Sequence, residues 1–307
     1  MRSDLPAIPL ALAVALAACS DASYVPPIVN QPRDAGVAND AQTNADGSTS
    51  ADGGPTLTGL CNPKAVWIKP RAVGFAGKEG FGAITADETT VAWMEAGSVH
   101  WADRKTAGDV WGPQATLTVT AASARIALAA SGLRIVFVVD GGKTFGEISR
   151  ATKTDAFAGA PDTAMFDSIK FALAEAPADA KVDDPVLARD DLHLLFTFSR
   201  TNAPSTMRLG SRADDATKWS FGQPFGQAEL VPVGTKYRRP TGISADRLTL
   251  FYWDEVDAQA RAAFRLDETS DFATFIALGQ KPAAQVNGAC TQIYYDAGNQ
   301  FEYASRQ

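Results

Sequence analysis

The chain has 307 residues, with 28 Lys and Arg against 35 Asp and Glu, for a formal charge of −7. This length allows one large domain or two small ones. The acidic balance argues against nucleic acid and anionic membrane surfaces as partners. Only two histidines occur, His100 and His193, which leaves little material for a metal site or a histidine-assisted nucleophile. The sequence therefore predicts no cofactor and no metal.

The first residues predict an export signal. Arg2 precedes an apolar, uncharged run from Leu5 to Ala18. This run is shorter than the ~20 residues that a transmembrane helix needs, and it has the length of the apolar part of a signal peptide. We therefore expect residues 1–18 to be removed.

The segment Leu16-Ala17-Ala18-Cys19 resembles the lipobox of bacterial lipoproteins. The resemblance implies cleavage before Cys19 and lipid attachment to that cysteine, which would anchor the protein without a transmembrane helix. Ser20, rather than Asp, follows the cysteine, and this implies delivery to the outer membrane. The alternative is an ordinary secreted protein in which Ala18-Cys19 ends the apolar run by coincidence.

Residues 19–59 predict a flexible tether. The stretch is rich in Asp, Ala, Gly, Ser, Thr and Asn, and it has too little apolar material to offset the entropy of ordering. Its five Asp and one Arg carry −4 of the total charge, which leaves −3 for residues 60–307. Most of the acidity therefore belongs to the tether and says little about the partner of the folded part.

Two patterns recur in residues 60–307. The first is an arginine followed a few residues later by Trp or Phe, as in Arg104 with Trp111, Arg150 with Phe157, Arg212 with Trp219, and Arg265 with Phe272. Arg306 has no aromatic residue after it, and Trp67 has no arginine before it. These two pieces are the halves of one further repeat.

The second pattern is a pair of apolar runs joined by a short polar turn, which indicates a β-hairpin. The turns occupy residues 85–88, 129–132, 188–191 and 244–247, with a weaker copy ending at Tyr295. Each repeat is predicted as three strands, the third ending in arginine, then a loop and an outer strand that begins at the aromatic residue. Four strands in 41 to 62 residues is the size of a propeller blade.

These repeats resemble the TolB-type, WD40-like propeller repeats common in bacterial exported lipoproteins. The closest copy is Ile243–Asp246 with Leu248–Trp253, and Trp67–Pro70 matches the outer strand. We predict an all-β propeller of five blades over residues 60–307, with residues 285–307 and 63–75 combined in the last blade. A six-blade propeller with an extra blade in residues 150–212 is the first alternative, and a two-sheet sandwich is the second.

Cys61 and Cys290 are predicted to form a disulfide. An exported protein keeps disulfides, and both cysteines belong to the composite last blade. The bond would constrain a long loop and join the two ends of the propeller. Two free buried thiols are the alternative.

Four acidic residues close the second strand of their repeats: Glu95, Asp140, Asp254 and Asp296. A ring of these carboxylates on one face is the candidate ligand site, although Asp and Glu also favour such positions because they cap tight turns. No sequence motif identifies a catalytic residue. The recurrent arginines are expected to cover the neighbouring aromatic rings.

The predicted function is a lipid-anchored, monomeric binding module in the cell envelope, on the periplasmic or surface side. Its partner is predicted to be an envelope protein or a glycan, in addition to the membrane itself. The alternative is a glycosidase, since some five-bladed propellers are glycosidases that hold their carboxylates around the central axis. Asp183 and Asp184 are the candidate pair for that alternative.

Overall fold

The computed structural model describes residues 61–62, 65–73, 82–121, 125–201, 203–224, 238–297 and 301–306. Within them the chain forms five antiparallel sheets arranged as a β-propeller, which confirms the predicted fold class. The predicted signal peptide, Cys19 and the tether lie outside the described residues.

The blades follow one another along the chain. Blade 1 contains β2 (Ala83–Ile84), β3 (Thr90–Glu95), β4 (Ser98–Asp103) and β5 (Ala115–Thr118), and blade 2 contains β6 (Ile126–Leu128), β7 (Arg134–Val139) and β8 (Thr144–Ser149). Blade 3 contains β9 (Lys181–Leu187), β10 (His193–Arg200), β11 (Ala203–Ser211) and β12 (Gln223–Pro224). Blade 4 contains β13 (Arg238–Ile243), β14 (Thr249–Asp254), β15 (Gln259–Phe264) and β16 (Thr274–Gly279). Blade 5 contains β17 (Gln285–Val286), β18 (Gln292–Asp296), β19 (Phe301–Arg306) and β1 (Trp67–Ala72).

The turn between the first two strands of each blade, here called the first turn, has the same geometry in all five. In blade 1, the Thr85 N–H donates to the Thr90 carbonyl and the Glu88 N–H donates to the Thr85 carbonyl, both at 3.0 Å. Equivalent bonds close the other four first turns. The fourth residue of each turn has a positive φ, and these residues are Glu88, Gly132, Asp191, Arg247 and Cys290. The polar turns that the sequence indicated are therefore hairpin turns.

The hydrophobic core lies mainly between the blades. One cluster joins blades 2 and 3 through Val136, Phe145 and Phe196, and another joins blades 3 and 4 through Leu195 and Tyr252. Alternate side chains of each middle strand point toward opposite neighbours, so every blade buries both of its faces. This explains why the middle strands are almost continuously apolar.

Blade 2 differs from the predicted four-strand pattern. Its fourth position has only an isolated bridge between Glu147 and Asp162, followed by a 3₁₀ turn and the helix α1 (Asp167–Ala174). Ile169 and Leu173 of α1 pack into the core between blades 2 and 3. The long repeat therefore contains a helix rather than a sixth blade, and the six-blade alternative is wrong.

Blade 5 closes the propeller as predicted. The N-terminal strand β1 pairs with the C-terminal strand β19, with Trp67 opposite Arg306 and Ala72 opposite Glu302. The predicted disulfide is also present, since Cys61 is bonded to Cys290 with their Cα atoms 5.2 Å apart. Both ends of the folded part are therefore fixed in the same blade.

One detail of the predicted repeat is wrong. Trp67 does begin a strand, but β5 begins four positions after Trp111 and β12 begins four positions after Trp219. These rings lie in the loop before the outer strand, because each packs beneath the arginine of its repeat. Among the described residues, no helix is long and apolar enough to cross a membrane.

Candidate functional site

The propeller axis is filled by side chains from the first strand of every blade. A cavity of about 30 Å³ remains there, lined mostly by apolar or neutral residues that include Ile84, Leu128, Val186, Ile243 and Val286. This space admits about one or two water molecules. A sugar or another organic substrate does not fit into it.

Arg189 lies across the axis on the face that carries the first turns. Its guanidinium belongs to blade 3 and donates hydrogen bonds to the Ile84 carbonyl in blade 1 at 3.4 Å and to the Val286 carbonyl in blade 5 at 2.5 Å. Burial lowers the pKa of Arg189 to about 10, so the side chain stays charged at neutral pH. Arg189 therefore ties three blades together where the channel would open.

The candidate catalytic pair is built into an ion-pair network near the other end of the axis. Asp184 is 1% exposed, and its carboxylate lies 2.9 Å from the Arg125 guanidinium and accepts a hydrogen bond from the Thr197 hydroxyl at 2.8 Å. Asp183 is partly buried and accepts the Asp184 N–H at 2.8 Å. Burial raises the pKa of Asp184, although Arg125 and Arg239 oppose that shift. A substrate cannot reach the Asp184 carboxylate in this arrangement.

The four carboxylates of the predicted ring lie where the second strands end. Glu95 ends β3, Asp140 follows β7, Asp254 ends β14 and Asp296 ends β18. Their recurrence at one position of the repeat is therefore real. A ligand shared by the four remains a prediction.

The described contacts of these carboxylates are with residues of their own blades. Asp254 is 1% exposed and lies 3.1 Å from the Nε of Arg238 and 3.3 Å from the Nε of Arg261. Glu95 accepts a hydrogen bond from the Trp93 indole at 3.3 Å, whereas Asp140 is exposed and has a φ of 52°. Three of the four thus differ widely in exposure and pairing, as expected for residues that serve their own turns.

The recurrent arginines have the predicted structural role. The Cζ atoms of Arg104, Arg150 and Arg212 lie 4.2, 4.5 and 4.4 Å from the ring centroids of their paired aromatic residues. Each Nε also donates to the carbonyl of the positive-φ residue in the first turn of its own blade, as Arg150 does to Gly132 at 2.9 Å. The arginine therefore joins the first turn to the loop before the outer strand.

Both histidines lie in strands, as the sequence indicated. His100 stacks on Trp93 with the ring centroids 5.6 Å apart, and its Nδ1 lies 2.9 Å from the Thr116 hydroxyl. His193 has its Nδ1 2.6 Å from an Asp190 carboxylate oxygen and 2.8 Å from an Arg247 nitrogen. Among the described residues, no three His, Cys, Asp or Glu side chains are grouped to hold a metal ion.

A pocket that the sequence did not predict lies between blades 5 and 1. Its volume is about 140 Å³, and its walls include Arg104 and Trp111 from blade 1 and Gln292, Tyr294 and Tyr303 from blade 5. Propeller closure brings these two groups together from opposite ends of the chain, so no local motif contains both. One difference between the repeats was nonetheless visible in the sequence. The residue before the recurrent arginine is Asp in one repeat, Asp103, and Ser or Phe in the others.

Inside this pocket, Tyr294 is the most buried side chain. Its hydroxyl lies 2.6 Å from a Glu88 carboxylate oxygen and 2.7 Å from the Gln292 amide oxygen. Burial, followed by the hydrogen bond to Glu88, raises the pKa of Tyr294, which therefore stays protonated and donates to the Glu88 carboxylate. The pocket combines aromatic walls with hydrogen-bonding groups and one guanidinium.

Comparisons with known proteins give structural neighbours only. No family model matches the chain, and no curated protein matches it. Three solved structures among those that match are TolB from Acinetobacter baumannii, a luciferin-regenerating enzyme, and the β-propeller domain of Cps50 (Swd1) from Myceliophteria thermophila. Their identities to this chain are 10%, 12% and 8%, and their TM-scores are 0.41, 0.43 and 0.38.

The extent of these matches varies. They cover 75%, 78% and 78% of this chain, and 55%, 76% and 99% of the three neighbours in the same order. The chain thus spans little more than half of the TolB structure that it matches.

Proposed function

We propose that this protein is a lipoprotein of the outer membrane, anchored through Cys19, whose propeller binds an envelope protein or a glycan without catalysis. The segment Leu16–Cys19 supports the anchor, and the polar composition of residues 20–59 supports a tether. About 40 flexible residues have a root-mean-square span of about 35 Å. The propeller would therefore reach partners well away from the lipid surface.

The observation that carries the binding function is the filled axis. A catalytic site in the axial channel needs room for a substrate and a set of acidic or metal-binding groups around it. Here the axial cavity is about 30 Å³ and lined by side chains such as Ile84, Val186 and Ile243. Arg189 is the charged residue in that lining, and it is bonded to backbone carbonyls.

The glycosidase alternative depended on Asp183 and Asp184. Glycoside hydrolysis needs two carboxylates on either side of a sugar, with one of them free to act as a base or nucleophile. Asp184 is instead buried against Arg125 and Thr197, so its oxygens serve the fold. The geometry therefore favours binding over hydrolysis.

Metabolic labelling with a radioactive fatty acid tests the anchor. The full-length chain should incorporate label and fractionate with outer membranes, and Cys19→Ser should abolish the label without changing the propeller. Label that persists in the Cys19→Ser variant would refute lipid attachment at Cys19. A wild-type chain that is never labelled would refute the lipoprotein assignment.

Binding is tested with the purified full-length chain in detergent micelles. Isolated envelope glycan fragments and envelope proteins would be added separately and followed by equilibrium dialysis and chemical cross-linking. Saturable retention of one of the two classes, with the ligand recovered unchanged, is the expected result. A chain that retains neither class contradicts the binding function, and a ligand recovered with altered mass shows catalysis instead.

A further inference from the structure

The junction between blades 1 and 2 is closed by an ion pair between a buried arginine and a partly exposed carboxylate. Arg150 of blade 2 is held by Asp103 of blade 1, with Nη1 to Oδ2 at 2.6 Å and Nη2 to Oδ1 at 2.7 Å. The Thr90 hydroxyl, opposite Asp103 in the sheet register, also donates to that carboxylate at 2.6 Å. The blade therefore supplies its own anion to the arginine of the next blade.

The next junctions are also neutralised by the chain itself. Between blades 2 and 3, Asp215 lies 2.6 Å from Arg212 and 2.9 Å from Arg134. Between blades 3 and 4, the first-turn residue Arg247 lies 2.8 Å from Asp190 and 2.6 Å from Glu268. The recurrent Arg265 of blade 4 donates instead to the backbone carbonyls of Arg247 and Glu268. A carboxylate at the blade junction is thus a repeated feature of this molecule.

The junction between blades 5 and 1 also holds a buried carboxylate, Glu88, but this carboxylate accepts hydrogen bonds from Tyr294 and Asn287 of blade 5. Arg104 occupies the position of Arg150, and the residues that correspond to Thr90 and Asp103 are Gln292 and Ser305, which are also opposite each other in register. No acidic side chain stands at either position. The 140 Å³ pocket opens here instead, with Arg104 and Gln292 in its walls.

Arg104 is held by two backbone carbonyls and an aromatic ring. Its Nε donates to the Glu88 carbonyl at 2.6 Å, its Nη1 donates to the Asp109 carbonyl at 3.4 Å, and its Cζ lies over Trp111. Within the described residues these contacts include no carboxylate. The guanidinium is fixed in orientation and has further N–H donors for a bound anion.

From this comparison we infer that the pocket between blades 5 and 1 binds the carboxylate of a sugar acid, which takes the place that Asp103 occupies at the neighbouring junction. The inference rests on the proposed binding function and gives it a ligand class. A planar carboxylate matches the donor geometry of arginine. The Gln292 amide nitrogen can donate to a sugar oxygen, and the Tyr294 oxygen can accept from a sugar hydroxyl while its own proton is donated to Glu88. Trp111 and Tyr303 supply apolar walls.

The size of the pocket limits the ligand. Pockets for drug-sized molecules span about 300–1,000 Å³, whereas this one has about 140 Å³. A single sugar-acid unit is therefore the expected occupant, either as the free monosaccharide or as one unit of an acidic glycan.

Calorimetric titration of the full-length chain with D-glucuronate tests the inference. D-glucose, which lacks the carboxylate, and a glucuronate-containing oligosaccharide are titrated in parallel. Glucuronate should bind at least ~10-fold more tightly than glucose, because charge-assisted hydrogen bonds are the strong ones. Tighter binding of the oligosaccharide would identify a glycan as the source of the sugar acid, and equal binding would identify the free monosaccharide.

Two variants test the placement. Ser305→Asp restores the carboxylate at the equivalent position and should abolish glucuronate binding while it retains or raises the melting temperature. Arg104→Met removes the cation and should weaken glucuronate binding at least ~10-fold without changing the weak binding of glucose. Lys170→Met, which removes an exposed cation from helix α1 outside the pocket, is the matched control and should leave binding unchanged.

Three results of these titrations would contradict binding of a sugar acid in this pocket. Glucuronate that does not bind, that binds no better than glucose, or that still binds to Ser305→Asp would overturn the inference. If envelope glycans or proteins are still retained in that case, the proposed binding function stands and only the sugar-acid pocket is refuted. If nothing is retained, both are refuted.

Discussion

At the residue scale, arginines at equivalent positions of the repeat contribute differently to the stability of the fold. Arg150 is completely buried and pairs with Asp103, whereas Arg104 contacts backbone carbonyls and an aromatic ring. Removing one partner of a buried ion pair leaves the other charge without compensation, which costs about 3–5 kcal/mol. Losing a hydrogen bond to a carbonyl costs less.

The matched variants Arg150→Met and Arg104→Met test this difference. We expect Arg150→Met to lower the free energy of unfolding by about 3 kcal/mol, since Asp103 is partly exposed and can regain water. Arg104→Met should lower it by about 1–2 kcal/mol. Urea denaturation followed by circular dichroism measures both, and equal losses would show that the ion pair has no special weight.

Buried tyrosines make the fold sensitive to alkaline pH. Burial raises the pKa of Tyr252 from its usual 10.0 to about 12. Above pH 10 the unfolded chain loses this proton before the folded chain does, so the free energy of unfolding should fall between pH 10 and 12. Burial raises the pKa of Tyr294 and Tyr295 as well, and these residues add to the decline.

Thermal unfolding of wild type and Tyr252→Phe between pH 7 and pH 11.5 tests this prediction. The two curves of melting temperature against pH should run parallel up to pH 9, because Tyr252 is protonated in both states there. Beyond pH 10 the variant should decline less steeply. Parallel curves over the whole range would mean that Tyr252 ionises alike in the folded and unfolded states.

At the scale of elements, the closing blade depends on its disulfide. The bond spans 229 residues of sequence, and the loop-entropy model gives such a cross-link about 4–5 kcal/mol. The double variant Cys61→Ser/Cys290→Ser should therefore unfold at lower urea. A reductant should destabilise the wild type by a similar amount and leave the stability of the double variant unchanged. A wild type whose stability does not change with the reductant would contradict the prediction.

The helix of blade 2 replaces an outer strand and is held by one face. Ile169 is 0% exposed and packs against the core, whereas Phe171 is 68% exposed. Ile169→Ala should lower the free energy of unfolding by about 2–4 kcal/mol, and Phe171→Ala by less than about 0.5 kcal/mol. Denaturant unfolding compares the two, and a large loss at Phe171 would mean that this side chain packs against protein.

The elements also show where sequence reasoning succeeds. Strand alternation and polar turns such as Ser244–Arg247 are local signals, and they predicted the blades and the closure. The helix in blade 2 was missed because its eight residues have only two buried positions, Ile169 and Leu173. A helix so short gives little periodicity to recognise.

At the scale of the whole molecule, the pocket between blades 5 and 1 forms only when the propeller closes. The positions of Glu95, Asp140, Asp254 and Asp296 were predictable, since each depends on one turn. The pocket was not, because Arg104 and Tyr294 meet only when β1 pairs with β19. The filling of the axis is likewise a property of five strands together.

Binding without turnover is the central claim for the whole molecule. The most direct test is equilibrium dialysis of the full-length chain against an acidic envelope oligosaccharide, with mass spectrometry of the recovered ligand. The pocket that contains Arg104 predicts saturable retention, and the filled axis and the buried Asp184 predict a ligand of unchanged mass. An oligosaccharide that returns cleaved would contradict the account, and so would a chain that retains neither this oligosaccharide nor an envelope protein.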